Sequence, residues 1–522
     1  IILIGKRQKK EEEGKFLFPT YKQTCNIKLP TKHCRRVCMF KEMLSEKEFD
    51  FNALEKEIFR IGCEFAAGLM EQLLVRMDEH LMLNRDRQKY RHKGKHTTTL
   101  KTLMGEVPYR RTVYETKHES YSKAYVYLLD EVLNLESFGK ISSNLASMIA
   151  DCASVCSFRE SAKKISSMTG QSISHGGAWN VIQGIGRRLL EKEERDARLS
   201  DLGQAKGDLV TPILFEEADG VWINMQGKNR PKKGRKSEMK MAVAYDGWMQ
   251  EGENRHILNN KIMVSGFEDS KSFQRKKEGA IAAVFNTDEI EMRILNGDGG
   301  SWIKSGIVDS DVHYQLDPFH KNREITRKVS DKEQRKMIQK LLSDKRIEEL
   351  LTYIRDISIL TENETDQKKL RELYEYFKNN KEGLIPYQER GFNLPKPPKG
   401  LTYRNLGTME HHVCDGAAKR MKHQKASWSK AGAENMARLL CNKTCGKLHD
   451  TVTSLARTVL PEHYTEMIEK VLSAGKAPKK EGKGYLYPVR GNHPFTDTFM
   501  TNGRKAILGM LGDRAASELV YR

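Results

Sequence analysis

The feature that most constrains the fold is a change of hydrophobic period in the second half of the chain. Between residues 209 and 319, apolar residues alternate with polar ones in five short segments, LVTPILFEEADGVWINMQ, EMKMAVAYDGW, KIMVSGF, IEMRILNGDGG and VHYQLDPF. Alternation of this kind is typical of β-strands. Over residues 324–400 the pattern changes to the three-and-four spacing of amphipathic helices. The sequence therefore predicts a multi-domain α/β protein in which a helical block interrupts a mixed sheet.

A long helix and a hairpin are predicted ahead of this domain, in residues 39–137. Between Leu54 and Leu81, apolar residues recur at steps of three and four, as on one face of an amphipathic helix. The helix packs either within the chain or against a second copy. Further along, β-branched and aromatic residues flank Gly105-Glu106, which is typical of two strands joined by a turn.

Residues 138–200 predict three helices joined by short polar turns. The last two are similar to a helix-turn-helix, with the turn at Thr169-Gly170-Gln171. In DNA-binding proteins of that class, the first residues of the last helix enter the major groove. Here those residues are Ser174, His175 and Asn180. The alternative is a three-helix packing unit without a DNA-binding role.

Charge favours a polyanionic partner. The 522 residues include 90 Lys+Arg and 70 Asp+Glu, a formal net charge of +20, and nucleic acid is the first candidate for such a chain. One basic loop between two predicted strands holds Lys228, Arg230, Lys232, Lys233, Arg235 and Lys236. These cations are either a solvated loop or a grip on DNA phosphates. The apolar runs of the sequence are too short to cross a bilayer, so we expect no membrane partner and a cytoplasmic location.

Three acidic residues stand where strands are predicted to end or helices to begin. They are Asp219, Asp298 and Glu410. Carboxylates at the carboxyl edge of a sheet are well placed to bind ligands, and oxygen donors suit Mg²⁺. Three of them predict a two-metal site of the kind that activates a water or a 3′-hydroxyl in DNA cleavage and strand transfer. Glu216 and Glu217 are rivals of the first acid, and Asp309 and Asp311 of the second.

Four segments carry a resemblance to a known family. They are EADGVWINMQGK, GDGGSWIK, QLDPFHKNRE and GTMEHHVCDGAAKRMKHQKASWSKAGAENMARLL. Together they resemble a bacterial insertion-sequence transposase family, often called an uncharacterised protein family, which is similar to the Mutator-type DDE transposases. In those enzymes a (Cys/Asp)-x-x-His signature follows the second Asp, and a helical insertion precedes the catalytic Glu. This chain has Asp317-Pro318-Phe319-His320 in that place.

The resemblance implies a ribonuclease-H-like core made of residues 205–323 and 401–450, interrupted by a helical insertion at 324–400 and preceded by the helix-turn-helix region. It implies a catalytic and metal-binding triad of Asp219, Asp298 and Glu410, with Asp317 and His320 as an accessory pair. Further implied contacts with substrate DNA come from Arg420 and Lys422, while Trp428 either stacks on a base or belongs to the core.

The implied protein is a DDE-type transposase that binds terminal inverted repeats and uses Mg²⁺, for which Mn²⁺ can substitute. Its expected partners are double-stranded DNA and further copies of itself in a synaptic complex at the nucleoid. Two alternatives are an inactive or repurposed DNA-binding protein, and a ribonuclease-H-like nuclease without strand transfer. Residues 1–38 fall outside the resemblance and are expected to be a non-native or disordered leader, and residues 451–522 a basic C-terminal region.

Overall fold

The structure is a computed structural model that describes residues 51–116, 125–135, 138–232, 234–307, 311–423, 425–457, 464–465 and 467–469. The predicted leader and most of the predicted C-terminal region lie outside these ranges. The chain divides into two compact units, residues 1–63 and 64–522. No helix among the described residues is long and apolar enough to cross a membrane.

A long helix and a hairpin are present in the N-terminal region, as predicted, but the hairpin turn is shifted. Helix α1 covers Phe51–Asn84, and strands β1 (Tyr90–Thr102) and β2 (Gly105–Thr116) pair antiparallel. The turn is therefore Leu103-Met104, and Gly105 begins the second strand with φ +124°. The first strand extends back into the basic stretch because cross-strand pairing continues that far. A short strand β3 and a helix α2 follow at Tyr125–Val126 and Leu128–Leu133.

Three helices follow in the region that includes the predicted helix-turn-helix. They are α3 (Ser143–Val155), α4 (Phe158–Thr169) and α5 (His175–Asp201). A serine precedes each helix, and its hydroxyl accepts a backbone N–H of the first turn, which is the usual N-cap interaction. Gly170 ends α4 with φ +67°, so the chain turns where the sequence predicts.

The five predicted strand segments all contain strands. The strands and helices of this region are β4 (Ile213–Asn224), β5 (Lys236–Tyr245), β6 (Trp248–Gln250), β7 (His256–Leu258), β8 (Ile262–Gly266), α6 (Ser270–Ala282), β9 (Met292–Gly297), α7 (Ser301–Lys304), β10 (Val312–Leu316) and α8 (Pro318–Lys328). The main sheet has the order β10-β9-β4-β5-β8. Strand β5 is antiparallel to both β4 and β8, whereas β9 and β10 run parallel to β4.

Helices account for most of the remaining described chain. They are α9 (Lys332–Ser343), α10 (Ile347–Leu360), α11 (Glu364–Asn379), α12 (Met409–Val413), α13 (Lys419–Met421), α14 (Lys430–Thr444) and α15 (Leu448–Ala456). A π-helical turn, Cys414–Ala418, joins α12 to α13. Before α12, a two-residue strand β11 (Leu401–Thr402) pairs with β6.

Hydrophobic cores lie on both faces of the main sheet, and the two largest are on opposite faces. Phe215 and Ile223 on β4 belong to a core that also contains α3, α5 and α14. Ala218 on the same strand belongs to the second core, which contains α9, α10 and α11. Because side chains alternate across a strand, β4 contributes to both cores. The predicted helical insertion thus shares a hydrophobic core with one face of the sheet.

Candidate metal centre

Asp219 lies within β4 and not at its end. On one side it pairs with Met241 of β5, so the antiparallel hairpin continues past it. On the other side the parallel pairing with β9 ends one residue earlier, at Ala218 and Gly297. The expectation of a strand end is therefore wrong for β4 itself, because the β4–β5 hairpin is longer than the parallel pair. The buried Asp219 carboxylate stands where its parallel neighbour stops, and its Oδ1 accepts the N–H of Gly220 at 2.7 Å.

Asp298 directly follows β9. Its Oδ1 accepts the N–H of Gly300 at 2.8 Å, and its backbone oxygen accepts the hydroxyl of Tyr376 at 2.8 Å. Gly299 has φ +93°, and a Cβ there would come within 2.7 Å of Asn380 Oδ1. Only glycine fits this turn without a shift. The helical insertion, through Tyr376 and Asn380, therefore packs directly against the turn that holds Asp298.

Asp317 and His320 lie at the end of the next parallel strand. Asp317 follows β10 and caps α8, since its Oδ1 accepts the backbone N–H of His320 at 3.0 Å. The imidazole Nδ1 of His320 lies 3.3 Å from the same oxygen, and its Nε2 lies 3.9 Å from Asp219 Oδ2. Both side chains are buried. His320 therefore stands between Asp317 and Asp219.

Asp219, Asp298 and His320 form a cluster that could hold a metal ion. Each offers one ligand atom, and these atoms lie within 4.8 Å of one another. In the part of the chain that the structure describes, neither carboxylate forms an ion pair with a lysine or arginine. Two carboxylates without a lysine or arginine partner fit a hard divalent cation such as Mg²⁺, and the imidazole of His320 also suits Mn²⁺.

Burial and mutual repulsion shape the charge of this cluster. Burial raises the pKa of Asp219 to about 6, with smaller upward contributions from the charges of Asp298 and Glu410, against the opposing effects of His320 and the Gly220 N–H. Burial by itself lowers the pKa of His320, but the interactions with Asp317 and Asp219 outweigh it and the pKa is raised. The site thus accumulates negative charge that a bound cation would relieve.

Glu410, the third predicted acid, stands apart from this cluster. It lies in the first turn of α12 and is exposed. Its charge nevertheless contributes to raising the pKa of Asp219, so the two carboxylates are within electrostatic reach of each other. The structure therefore brings together Asp219, Asp298 and the predicted accessory His320, with Glu410 at the periphery.

The rival acids have other surroundings. Glu216 is buried and pairs with two buried cations. Glu217 is buried too, and its oxygens accept hydrogen bonds from neutral groups. The backbone oxygen of Asp311 accepts the N–H of Arg293, beside the start of β10 and away from its carboxyl end. Asp309 lies outside the described residues.

The predicted DNA-binding residues of α5 and of the basic loop are at the surface. Ser174, His175 and Asn180 are exposed at the start of α5, and the Ser174 hydroxyl accepts the N–H of Gly177 at 2.9 Å. The β4–β5 loop exposes Lys228, Arg230, Lys232 and Arg235, and Lys236 at the start of β5 is exposed too. Lys233 lies outside the described residues.

Arg420 and Lys422 differ in their surroundings although both were expected near DNA phosphates. The Nε of Arg420 donates to the backbone oxygen of Ala153 at 2.7 Å, and its guanidinium lies over the rings of Phe158 and Trp428. This guanidinium is engaged inside the protein, joining α13 to the helices before the sheet. Lys422 is exposed. Trp428 is buried and donates its indole N–H to a backbone oxygen, so its position is that of a core tryptophan.

Two residues near the cluster were missed by the sequence analysis. Asn296 is fully buried near the end of β9, and its position two residues before Asp298 is a signal that could have found it. Tyr376 reaches Asp298 from α11, almost eighty residues later, and no local pattern marks it.

Comparison with known proteins identifies relatives over most of the chain. A family model described as an uncharacterised protein family, UPF0236, matches residues 44–457. The UPF0236 protein in vanSb 3′ region of Streptococcus gallolyticus is 25% identical over 399 residues, which cover 74% of this chain and 81% of the relative.

Further relatives come from Caldanaerobacter subterraneus subsp. tengcongensis. One UPF0236 protein of this organism is 22% identical over 416 residues, which cover 78% of this chain and 81% of the relative. Another is 22% identical over 401 residues, covering 75% and 76%, and its name combines eleven locus designations. Since the family model matches well over half of its length, the chain belongs to the UPF0236 family.

Proposed function

We propose that this protein is a DDE-type DNA transposase with a ribonuclease-H-like catalytic core. The observation that carries the proposal is the meeting of Asp219 and Asp298, whose ligand atoms lie within 4.8 Å of each other and of His320. The two aspartates follow the last parallel pair of β4 and β9, which joins Ala218 to Gly297. Acidic residues at the carboxyl ends of adjacent parallel strands suit a metal-dependent phosphodiester chemistry.

The sheet supports the same proposal. Three antiparallel strands in sequence, β4, β5 and β8, are followed by α6 and then by two strands parallel to β4 on its other side. This order and orientation correspond to those of a ribonuclease-H-like core. The helical block 324–400 lies between β10 and the helix of Glu410, as in an interrupted core of that class.

The proposed metal centre consists of acidic residues and an imidazole from four segments of the chain. Asp219, Asp298 and Glu410 would hold Mg²⁺, or Mn²⁺ in its place, with His320 able to join them and Asp317 fixing the imidazole. The metal centre, when loaded, supplies Lewis-acid activation of the attacking oxygen and of the scissile phosphate. His320 lies 3.9 Å from Asp219 on one side and 3.3 Å from Asp317 on the other, so its imidazole would be oriented beside the metal ligands.

Binding of DNA is assigned to surfaces on separate elements. The exposed start of α5 follows a tight turn after α4, as the recognition helix of a helix-turn-helix does. The exposed cations of the β4–β5 loop adjoin the strand that carries Asp219 and suit phosphate contacts. We place the protein on nucleoid DNA in the cytoplasm, in a synaptic complex of several copies that handles two DNA ends.

The relatives add an argument of a different kind. One of them has a name that combines eleven locus designations from a single organism. A gene that occurs at many loci of one genome is consistent with a DNA element that copies itself. This supports mobility of the encoding gene and does not depend on the metal centre.

The test is a cleavage and joining assay with the purified full chain, Mg²⁺ and labelled duplexes that carry the DNA flanking its gene. We expect wild type to nick the duplex and to join its 3′ end to target DNA, and Asp298→Asn to lower both to the level seen with EDTA. Asp311→Asn is the matched control, because that aspartate lies away from the cluster, and it should retain activity.

The outcomes separate the alternatives. Equal nicking by wild type and Asp298→Asn would contradict the proposed catalytic role of this acid. Nicking without joined products would favour a ribonuclease-H-like nuclease without strand transfer. Specific binding without any nicking would favour an inactive or repurposed DNA-binding protein.

A further inference from the structure

A buried carboxylate that the proposed chemistry does not use lies beside the metal centre. Glu217 is fully buried, and its oxygens accept five hydrogen bonds. Oε1 accepts the hydroxyls of Tyr245 at 2.7 Å and Thr408 at 2.6 Å. Oε2 accepts three N–H groups, each at 2.9 Å, from the side chain of Asn296 and from the backbones of Gly407 and Thr408.

These contacts continue to the accessory pair. The side-chain amide of Asn296 donates one proton to Glu217 and the other to Asp317 Oδ2, at 2.8 Å. The other oxygen of Asp317 caps the backbone N–H of His320. A continuous chain of buried hydrogen bonds therefore runs from the start of α12 through β4 and β9 to the start of α8.

We call Thr408, Glu217, Asn296 and Asp317 the bracing network. Each member precedes a residue of the proposed site by two or three positions, in the pairs Thr408 and Glu410, Glu217 and Asp219, Asn296 and Asp298, and Asp317 and His320. On a strand, a residue two positions back lies on the same face. The network thus joins all four segments that supply the proposed site.

We propose that Glu217 is a positioning residue that fixes Glu410 relative to Asp219 and Asp298. This inference rests on the proposed function, because it assumes that these acids share a metal. Glu410 is exposed and comes from a segment that follows the helical insertion, so its placement depends on how that segment is held. Three of the five hydrogen bonds of Glu217 go to Gly407 and Thr408, immediately before α12. Residues that orient ligands in this way tune metal affinity.

The geometry also argues that Glu217 is not itself a metal ligand. A carboxylate has about four lone-pair positions. Five protein donors already occupy them, two on Oε1 and three on Oε2. Glutamine can replace this side chain with little change, because its carbonyl can accept the three N–H groups. Its amide can donate to the two hydroxyls, which rotate to accept.

The experiment measures Mn²⁺ binding to the full chain by electron paramagnetic resonance, with circular dichroism as the measure of folding. We expect Glu217→Ala to weaken Mn²⁺ binding about 10- to 100-fold, as for other residues that orient metal ligands. Glu217→Gln should bind Mn²⁺ nearly as wild type does. Asp219→Asn is the reference for removal of a ligand. A role in folding alone would alter the melting temperature but not the Mn²⁺ affinity of the folded protein.

Two results would overturn the inference. One is wild-type Mn²⁺ affinity in folded Glu217→Ala, and the other is a loss of affinity in Glu217→Gln as complete as in Asp219→Asn. If Glu217→Ala does not fold, Thr408→Val takes its place, since it removes one hydrogen bond at constant shape. That variant should weaken binding in the same direction, and unchanged affinity would contradict the role. If neither Asp219→Asn nor Asp298→Asn affects Mn²⁺ binding, the proposed metal centre itself fails, which is a distinct outcome.

Discussion

Glu216 shows how the core beneath the site tolerates buried charge. Its carboxylate, 1% exposed, pairs with Lys277 and with Arg293, whose Nε donates to it at 2.7 Å. Burial alone raises its pKa, but the charges of the two cations prevail and lower the pKa of Glu216 to about 2. Nearby residues on β4 therefore have different electrostatic surroundings: Glu216 is paired with a lysine and an arginine, whereas in the described part of the chain the only basic group close to Asp219 is the imidazole of His320.

We expect Glu216→Gln to lower the free energy of unfolding by about 3–5 kcal/mol, because two buried cations lose their buried partner and keep only the partly exposed Glu278. The pKa of the folded state lies below the ordinary value, so this stabilisation is complete above about pH 4.5 and is lost as pH falls towards 2. Urea unfolding at several pH values measures it. Glu278→Gln is the control. That carboxylate pairs with the same cations but is partly exposed, so its replacement should lower the free energy of unfolding by less. Equal stability of Glu216→Gln and wild type at pH 7 would contradict the account.

Residue identity was predictable where a local pattern marked it. Asp298 is followed by Gly299, which its turn requires, and Asp317 caps a helix that begins with proline. The place of Asp219 within a strand was not predictable, because it depends on how far β5 extends alongside it. The internal contacts of Arg420 likewise depend on Phe158 and Ala153, which lie more than 250 residues earlier.

At the scale of elements, the β4–β5 loop differs from the strands that it joins, because it is basic and exposed to solvent. Its five described cations are all exposed. Exposed cations on a loop contribute little to the free energy of folding. When such cations contact DNA phosphates, they release counterions from the DNA. Their effect should therefore appear in the salt dependence of binding.

We expect replacement of the loop cations Lys228, Arg230, Lys232, Arg235 and Lys236 by glutamine to reduce the slope of log K against log salt. The reduction should be about 0.9 for each phosphate that the loop no longer neutralises. Fluorescence anisotropy with duplex DNA at several salt concentrations gives the slope. The control variant replaces five exposed cations of the helical insertion, Lys332, Lys336, Lys340, Lys368 and Arg371. A similar change of slope in both variants would mean that the loop has no special role in binding DNA.

Strands and helices were more predictable than the turns between them. Each of the five segments that the alternation predicts contributes a strand to the main sheet, although hydrophobic cores cover both of its faces. The hairpin turn moved from Gly105-Glu106 to Leu103-Met104 because the register is set by pairing across its whole length. No local signal at the turn encodes that register.

At the scale of the whole molecule, the helices that follow residue 138 and the main sheet share one hydrophobic core. Ile149, Ile182 and Phe215, from two helices and the sheet, belong to one cluster with residues of α14. Gly186 of α5 lies so close to Asn435 that a Cβ there would come within 2.3 Å of it. The predicted division at residue 200 is thus a boundary in sequence without a break in packing.

We expect residues 138–457 to unfold in a single cooperative transition, because separating α5 from the sheet would expose this common core. Hydrogen exchange measured by mass spectrometry on the full chain tests this. Peptides from α5 and from β4 should lose protection together as denaturant rises. Loss of protection in α5 well before β4 would show two independent units.

The bracing network has a consequence for synthesis of the protein. Its members are spread from residue 217 to residue 408, and three of the hydrogen bonds to Glu217 come from beyond the helical insertion. When Asp219 and Asp298 have emerged from the ribosome, the segment that positions Glu410 has not yet been synthesised. The three acids can therefore come together only after translation has passed residue 410. Interrupted translation products that end before residue 410 would contain Asp219 and Asp298 without the third proposed acid, and without the α14 residues that complete the shared core.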